Sequence, residues 1–206
     1  NFETIRMSLE RCEVNNQFTN WYYFFLQNRE LTVNLNGTER HKRPMRGTPQ
    51  GGILSPIIWN ICIDSLISEL DNTSADVVGF ADDILTIATG LDLNTVVSIA
   101  QNTINIATKR GVTNSLKFSP LKSCAIIFTN RQIKKLPELY MNGCVLKYVN
   151  ETRYLGITLD KKLNYNSHIS NIVKKGKSTL MALKSVIGNK WGLTPKNAFW
   201  AYTTMV

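Results

Sequence analysis

Apolar residues recur at helical spacing from Asn1 to about Asn15 (Ile5, Leu9, Cys12) and from Gln17 to about Asn28 (Phe18, Trp21, Tyr22, Phe25), which predicts two opening helices. Leu31 to Leu35 and Thr38 to Arg43 then flank Asn36-Gly37, a dipeptide that supplies the positive φ angles of a two-residue turn, and predict a β-hairpin. The run Arg46-Gly47-Thr48-Pro49-Gln50-Gly51-Gly52 is a loop by composition. Behind it, Ser55-Pro56 places a capping hydroxyl before a proline at a helix's first position, and a helix from about Pro56 to Leu70 follows.

The pattern then switches to β-branched and aromatic residues. Asp76 to Phe80, Ala81-Asp82-Asp83, and Ile84 to Ala88 read as strand, tight turn, strand. Leu93 to about Arg110 is amphipathic, ended by Gly111. Cys124 to Thr129 predicts a strand, Leu139 to Tyr148 a hairpin turning at Asn142-Gly143, and Thr152 to Leu159 a further strand. From Ser167 onward the spacing is helical, with a break at Trp191 to Pro195 and a final helix from Pro195. No repeat or low-complexity linker interrupts this order. Strands joined by short turns and interleaved with helices point to the α+β class, an antiparallel sheet backed by helices.

Charge adds a partner class. The 206 residues hold 24 Lys+Arg against 15 Asp+Glu, a formal net charge of +9, which favours a polyanion such as nucleic acid or an acidic membrane surface. At 43% hydrophobic the chain can bury a core and is not disordered. Cys12, Cys62, Cys124 and Cys144 form no C-x-x-C pair, and Cys62 and Cys124 lie in apolar runs, so reduced core thiols and an intracellular setting are expected. The longest apolar stretch, Ile53 to Ile63, is broken by Ser55, Pro56 and Asn60 and falls short of the roughly 18 residues of a membrane span. The chain's last helical pattern, at Phe199, Trp200, Tyr202 and Met205, runs up to Val206, as in a piece of a longer polypeptide.

Asp82 and Asp83 carry the candidate chemistry. A carboxylate pair between two apolar strands needs partners, a metal or a raised pKa. At a hairpin tip the two can converge, and their acceptor-only oxygens suit a hard divalent cation such as Mg²⁺. Taken alone, the pair is equally well a polar turn.

Four motifs in one order decide between these readings: Pro49-Gln50-Gly51 in a loop before a helix, Phe80-Ala81-Asp82-Asp83 on a hairpin, Lys122 in a turn, and Tyr154-Leu155-Gly156 on a late strand. Together they resemble the reverse transcriptases, and within them the non-LTR (LINE-type) retrotransposons of the jockey-like insect kind, over nearly the whole chain. The resemblance implies a palm with part of the fingers over 1–160, lacking the first catalytic strand, and the start of a helical thumb over 161–206. It also implies that Asp82 and Asp83 hold two Mg²⁺ ions, with Mn²⁺ as a substitute. Phe80 stands where many relatives carry tyrosine. Arg46, Gly47, Pro49, Gln50, Gly51 and Phe80 would lie along the template and the incoming nucleotide, where glycines let the backbone approach closely and Gln50 both donates and accepts. Lys122 would sit near the pyrophosphate leaving group, and Tyr154, Leu155 and Gly156 would form the primer grip. The partners so implied are an RNA template, a DNA primer and dNTPs, with no membrane, in the nucleus and cytoplasm.

Each motif has a plainer reading beside it. The Arg46 to Gly52 segment can be a loop capping the next helix, a lysine in a turn is usually solvated, and Tyr154 to Ile157 can be an ordinary core strand. The basic clusters Arg40 to Arg43, Lys134-Lys135, Lys161-Lys162 and Lys174-Lys175-Lys177 could line a nucleic-acid groove, though each alone reads as a solvated face. Trp21 to Phe25 reads as core before it reads as a stacking platform. His41 and His168 are isolated and take no catalytic role.

The family's third carboxylate is expected on a strand upstream of Asn1, since Glu3 and Glu10 fall in a helical stretch. This piece alone is therefore expected to be inactive. Two readings remain: an RNA-directed DNA polymerase, and a catalytically incomplete nucleic-acid-binding relic of one. A metal-dependent phosphatase or nuclease is a third, disfavoured because nothing else supplies its ligands.

Overall fold

The computed structural model describes residues 1–114, 116–133, 135–185 and 192–205. Lys134 of one basic cluster and Trp191 of the expected helix break lie outside the described residues. The chain divides into two compact units, 1–123 with 135–146, and 124–134 with 147–206. This partition follows packing and leaves the palm–thumb boundary at residue 160 an expectation.

In the first unit, α1 (Phe2–Arg11) and α2 (Asn16–Gln27) are each capped by an asparagine side chain, Asn1 accepting from the Thr4 N–H and Asn15 from the Gln17 N–H. They pack with α3 (Ser55–Asp71) around Ile5, Leu9, Tyr22, Leu26 and Ile58. Between them runs the hairpin β1 (Leu31–Leu35) and β2 (Thr38–Lys42), which turns at Asn36-Gly37 with both φ angles positive. A second cluster, Leu66, Leu70 and Ala107, joins α3 to α4 (Leu93–Thr113) and takes in Val77 and Ile84 from the hairpin β3 (Ala75–Phe80) and β4 (Asp83–Ala88). The short hairpin of β6 (Tyr140–Met141) and β7 (Cys144–Val145) closes this unit, and turns at Asn142-Gly143 as its sequence demands.

In the second unit, β5 (Cys124–Ala125) pairs in parallel with β8 (Lys147–Tyr148). The hairpin of β9 (Glu151–Tyr154) and β10 (Ile157–Asp160) leads to α5 (Asn166–Lys184), and α6 (Pro195–Met205) follows. Asp160 organises the β10–α5 connection by accepting from the backbone N–H groups of Lys162 and Tyr165 at 2.9 and 2.8 Å.

The α+β class holds, with local differences. Among the described residues the strands pair two by two and form no larger sheet. The run from Cys124 to Thr129 contributes only a two-residue ladder, and the Cys124 side chain is exposed where a core thiol was expected. All four cysteines are free. Gly111 does not end α4; it sits inside the helix, where a Cβ would come within 2.8 Å of the Phe118 ring, so it makes room for a neighbour instead of capping. The expected strand from Thr152 to Leu159 is a hairpin, because Leu155 and Gly156 both take positive φ (45° and 87°) and reverse the chain between Tyr154 and Ile157. No helix among the described residues is long and apolar enough to cross a membrane.

Candidate active site

The register of the β3–β4 hairpin pairs Val77 with Thr86, Gly79 with Ile84 and Phe80 with Asp83, which leaves Ala81-Asp82 as a two-residue turn. Asp82 therefore sits in the turn itself and Asp83 opens β4. Both carboxylates are exposed, and among the described residues neither enters an ion pair. Val77 and Ile84 seat the base of the ribbon on the helices, while a Cβ at Gly79 would lie 3.1 Å from Ile67 Cδ1 of α3. Glycine at 79 lets the strand approach the helix closely.

The turn is held from outside. Ala81 has φ 51°, a left-handed conformation that costs a non-glycine residue roughly 1 kcal/mol. The indole N–H of half-buried Trp59, in the second turn of α3, donates to the Ala81 carbonyl at 2.6 Å. Trp59 was not singled out by the sequence pattern, because one tryptophan in an apolar helix reads as core. Pro56, Trp59, Asn60 and Gly79 to Asp82 line a cleft of about 550 Å³ beside the tip, with Asp82 at its wall.

The same helix fixes the loop that precedes it. Ser55 Oγ donates to the Pro49 carbonyl at 2.6 Å, and the Gly52 N–H donates to that oxygen at 3.2 Å. A Cβ on Gly52 would stand 2.8 Å from Ser55 Oγ, so only glycine fits beneath this bond. Ser55 is thus a tie and not the expected cap; Leu54 holds the N-cap position without a side-chain hydrogen bond, and the helix begins at Ser55. Gly47 and Gly51 both have φ 80°, as a glycine loop allows. Arg29 Nη2, at the end of the α2 segment, donates to the Gly47 carbonyl at 2.7 Å, a second tether missed in the sequence because an arginine after a helix carries no motif. Arg46 and Gln50 are exposed, and Pro49 is half-buried.

One turn of α3 separates Ser55 from Trp59, so a single rigid segment ties the Pro49-Gln50-Gly51 loop to the Asp82 turn. Lys122 is exposed in a turn closed by its own N–H and the Ser123 hydroxyl, both donating to the Ser119 carbonyl. Tyr154 precedes the Leu155-Gly156 turn in the other unit, and its hydroxyl is buried without a hydrogen-bond partner among the described residues.

Two free carboxylates with acceptor-only oxygens fit a hard divalent cation. Among the described residues, no group of three or more histidine, cysteine or acidic side chains is placed to hold a metal ion.

Residues 2–159 match the family described as reverse transcriptase (RNA-dependent DNA polymerase). The Pol polyprotein of the type-1 retrotransposable element R1 from Nasonia vitripennis is 26% identical over 161 residues, 75% of this chain and 48% of that protein. The 115 kDa protein of element R1DM from Drosophila melanogaster is 28% identical over 85% of this chain and 17% of its own length. The RNA-directed DNA polymerase of the mobile element jockey, from the same fly, is 24% identical over 84% of this chain and 19% of that protein. The chain thus spans less than half the length of these relatives. With the aspartate turn, the glycine loop and the match to most of its residues in agreement, the chain belongs to the reverse transcriptase family, alongside the polymerases of the R1 and jockey non-LTR retrotransposons.

Proposed function

We propose that these residues carry part of the nucleotidyl-transfer centre of an RNA-directed DNA polymerase of a non-LTR retrotransposon, which adds dNTPs to a primer 3′ hydroxyl on an RNA template. The observation that supports it most is that two free carboxylates at a turn and a glycine loop are tied to successive turns of α3. Asp82 and Asp83 would hold two Mg²⁺ ions. When bound, such ions lower the pKa of the attacking hydroxyl and neutralise charge on the reacting phosphate and the departing pyrophosphate.

The remaining roles belong to the chain's own groups. Gly47 and Gly51 let the backbone run close to the nucleic acid, Gln50 offers a donor and an acceptor to template or nucleotide, and Arg46 contacts phosphate. Phe80 and Pro49 give the nucleotide apolar walls. Lys122 supplies a cationic proton donor for the pyrophosphate oxygen that leaves. Tyr154, Leu155 and Gly156 hold the primer, the glycine admitting its backbone. An enzyme with an RNA template and a DNA primer would act inside the cell, in nucleus and cytoplasm.

Mg²⁺-dependent dNTP incorporation on an oligo(dT)-primed RNA, by a chain that includes these residues and their upstream neighbours, tests the proposal. Asp82→Asn should reduce it by about 1,000-fold or more. A second reading, a nucleic-acid-binding relic, draws on the formal net charge of +9, which suffices for binding without chemistry. It predicts salt-sensitive binding without incorporation.

A further inference from the structure

We propose that the β1–β2 hairpin docks on the backbone and shallow groove of an A-form RNA–DNA hybrid. The choice of hybrid rests on the polymerase reading above; the assignment of a nucleic-acid face does not. All ten residues of the two strands are exposed, so the ribbon projects from the unit that bears it. A two-stranded ribbon buried against nothing is only marginally stable by itself, and its apolar side chains ask for a surface.

Its register sorts the side chains. Leu31 faces Lys42, Val33 faces Arg40 and Leu35 faces Thr38 on one side, while Thr32 faces His41 and Asn34 faces Glu39 on the other. The Thr32 hydroxyl lies 3.0 Å from His41 Nδ1, which confirms that this second pair shares a face. The first face is therefore an aliphatic row, with Leu31, Val33 and Leu35 at 55%, 56% and 69% exposure, beside a cationic row. It holds no carboxylate. Glu39 is on the opposite face, and from Arg40 to Ile63 the chain contains no acidic residue at all while Arg43 and Arg46 extend the cationic run.

These features select an occupant. The uncompensated cations require a polyanion, since a protein partner of ordinary composition would bring both signs. No aromatic ring stands on the face, so it lacks the stacking platform by which single strands are bound. Aliphatic side chains flanked by cations match a surface of sugar rings bordered by phosphates. In the A-form that surface is the wide, shallow minor groove, because the major groove is too deep and narrow to admit a ribbon.

The test is fluorescence anisotropy of the chain with an RNA–DNA hybrid and with the same RNA unpaired, across a salt series, on variants checked for fold by circular dichroism. Arg40→Ala with Lys42→Ala should weaken hybrid binding by about tenfold or more and lower the slope of log K against log salt by about two. Val33→Thr with Leu35→Thr should weaken it several-fold and leave the slope unchanged. Asn34→Ala with Glu39→Gln, on the other face, should do neither. Undiminished hybrid binding in the first two variants, an equal loss in the third, or an equal loss on unpaired RNA would overturn the proposal. A change in sedimenting mass with hybrid affinity intact would make the face a protein contact and overturn it too. Hybrid binding is read without dNTPs and without Mg²⁺, so a failure of the polymerase chemistry leaves this result readable by itself.

Discussion

The hairpin β1–β2 and the hairpin β3–β4 have similar length and the same antiparallel pairing, but opposite relations to the rest of their unit. The first turns on Asn36-Gly37, whose glycine accepts φ 80° freely, and no residue of its strands is buried. The second turns on Ala81-Asp82 without a glycine, rests Val77 and Ile84 on the Leu66–Leu70 cluster, and has its turn carbonyl gripped by Trp59. The ribbon with the acidic tip is shaped by its surroundings; the exposed one holds its form by its own turn chemistry.

The contrast can be broken first at the core. Leu66→Ala, at a fully buried site, should cost about 2–5 kcal/mol in urea unfolding, whereas Val33→Ala should change stability by less than about 0.5 kcal/mol. Equal losses would show that the exposed ribbon is packed after all. Next comes Trp59→Phe, which keeps the ring and removes the donor; a loss of about 1 kcal/mol is expected, with faster amide hydrogen exchange in 79–85 and none in 31–42. The turns themselves should respond with opposite signs. Ala81→Gly relieves a left-handed alanine and should stabilise by about 0.5 kcal/mol, while Gly37→Ala introduces one and should destabilise by about 1 kcal/mol, both read from thermal melts.

The smallest effect lies at Asp92, the cap of α4. The Thr95 backbone N–H, and after it the Thr95 hydroxyl, hold this carboxyl below its ordinary range. A pKa depressed in the folded state contributes stability above the unfolded value, near 3.9, and loses it as pH falls through the folded value. Asp92→Ala should therefore flatten the acid limb of the stability profile below about pH 4 and leave neutral-to-basic dependence unchanged.

What the sequence made legible was whatever a local rule decides. Asn36-Gly37 and Asn142-Gly143 turn as their φ requirements dictate, the proline at 195 starts a helix, and the aspartate turn falls between the two apolar strands. The failures are places where a distant neighbour decides. Gly111 resembles a helix stop until Phe118 is seen to occupy the space of its missing side chain. Leu155-Gly156 looks continuous with a strand because leucine seldom takes φ 45°. Ser55 resembles a cap, yet the helix already includes it, with Leu54 at the N-cap, and its hydroxyl donates to the Pro49 carbonyl six residues back. Trp59 and Arg29, which place the turn and the loop, have no spacing signature, since their partners are backbone carbonyls that any residue could offer.

The lone oxygen of Pro49, taken by both Gly52 and Ser55, makes the length of this stretch as consequential as its composition. Counted from the Ser55 that this oxygen anchors, each residue inserted or deleted before Trp59 in the first turn of the helix would swing the indole by about 100°. The indole at position 59 would then point away from Ala81, and the acidic tip would lose its brace without a single side chain there having been altered. Drift along this lineage can therefore alter neither the residue count of that helical turn nor the glycine at 52 without disturbing the acidic tip.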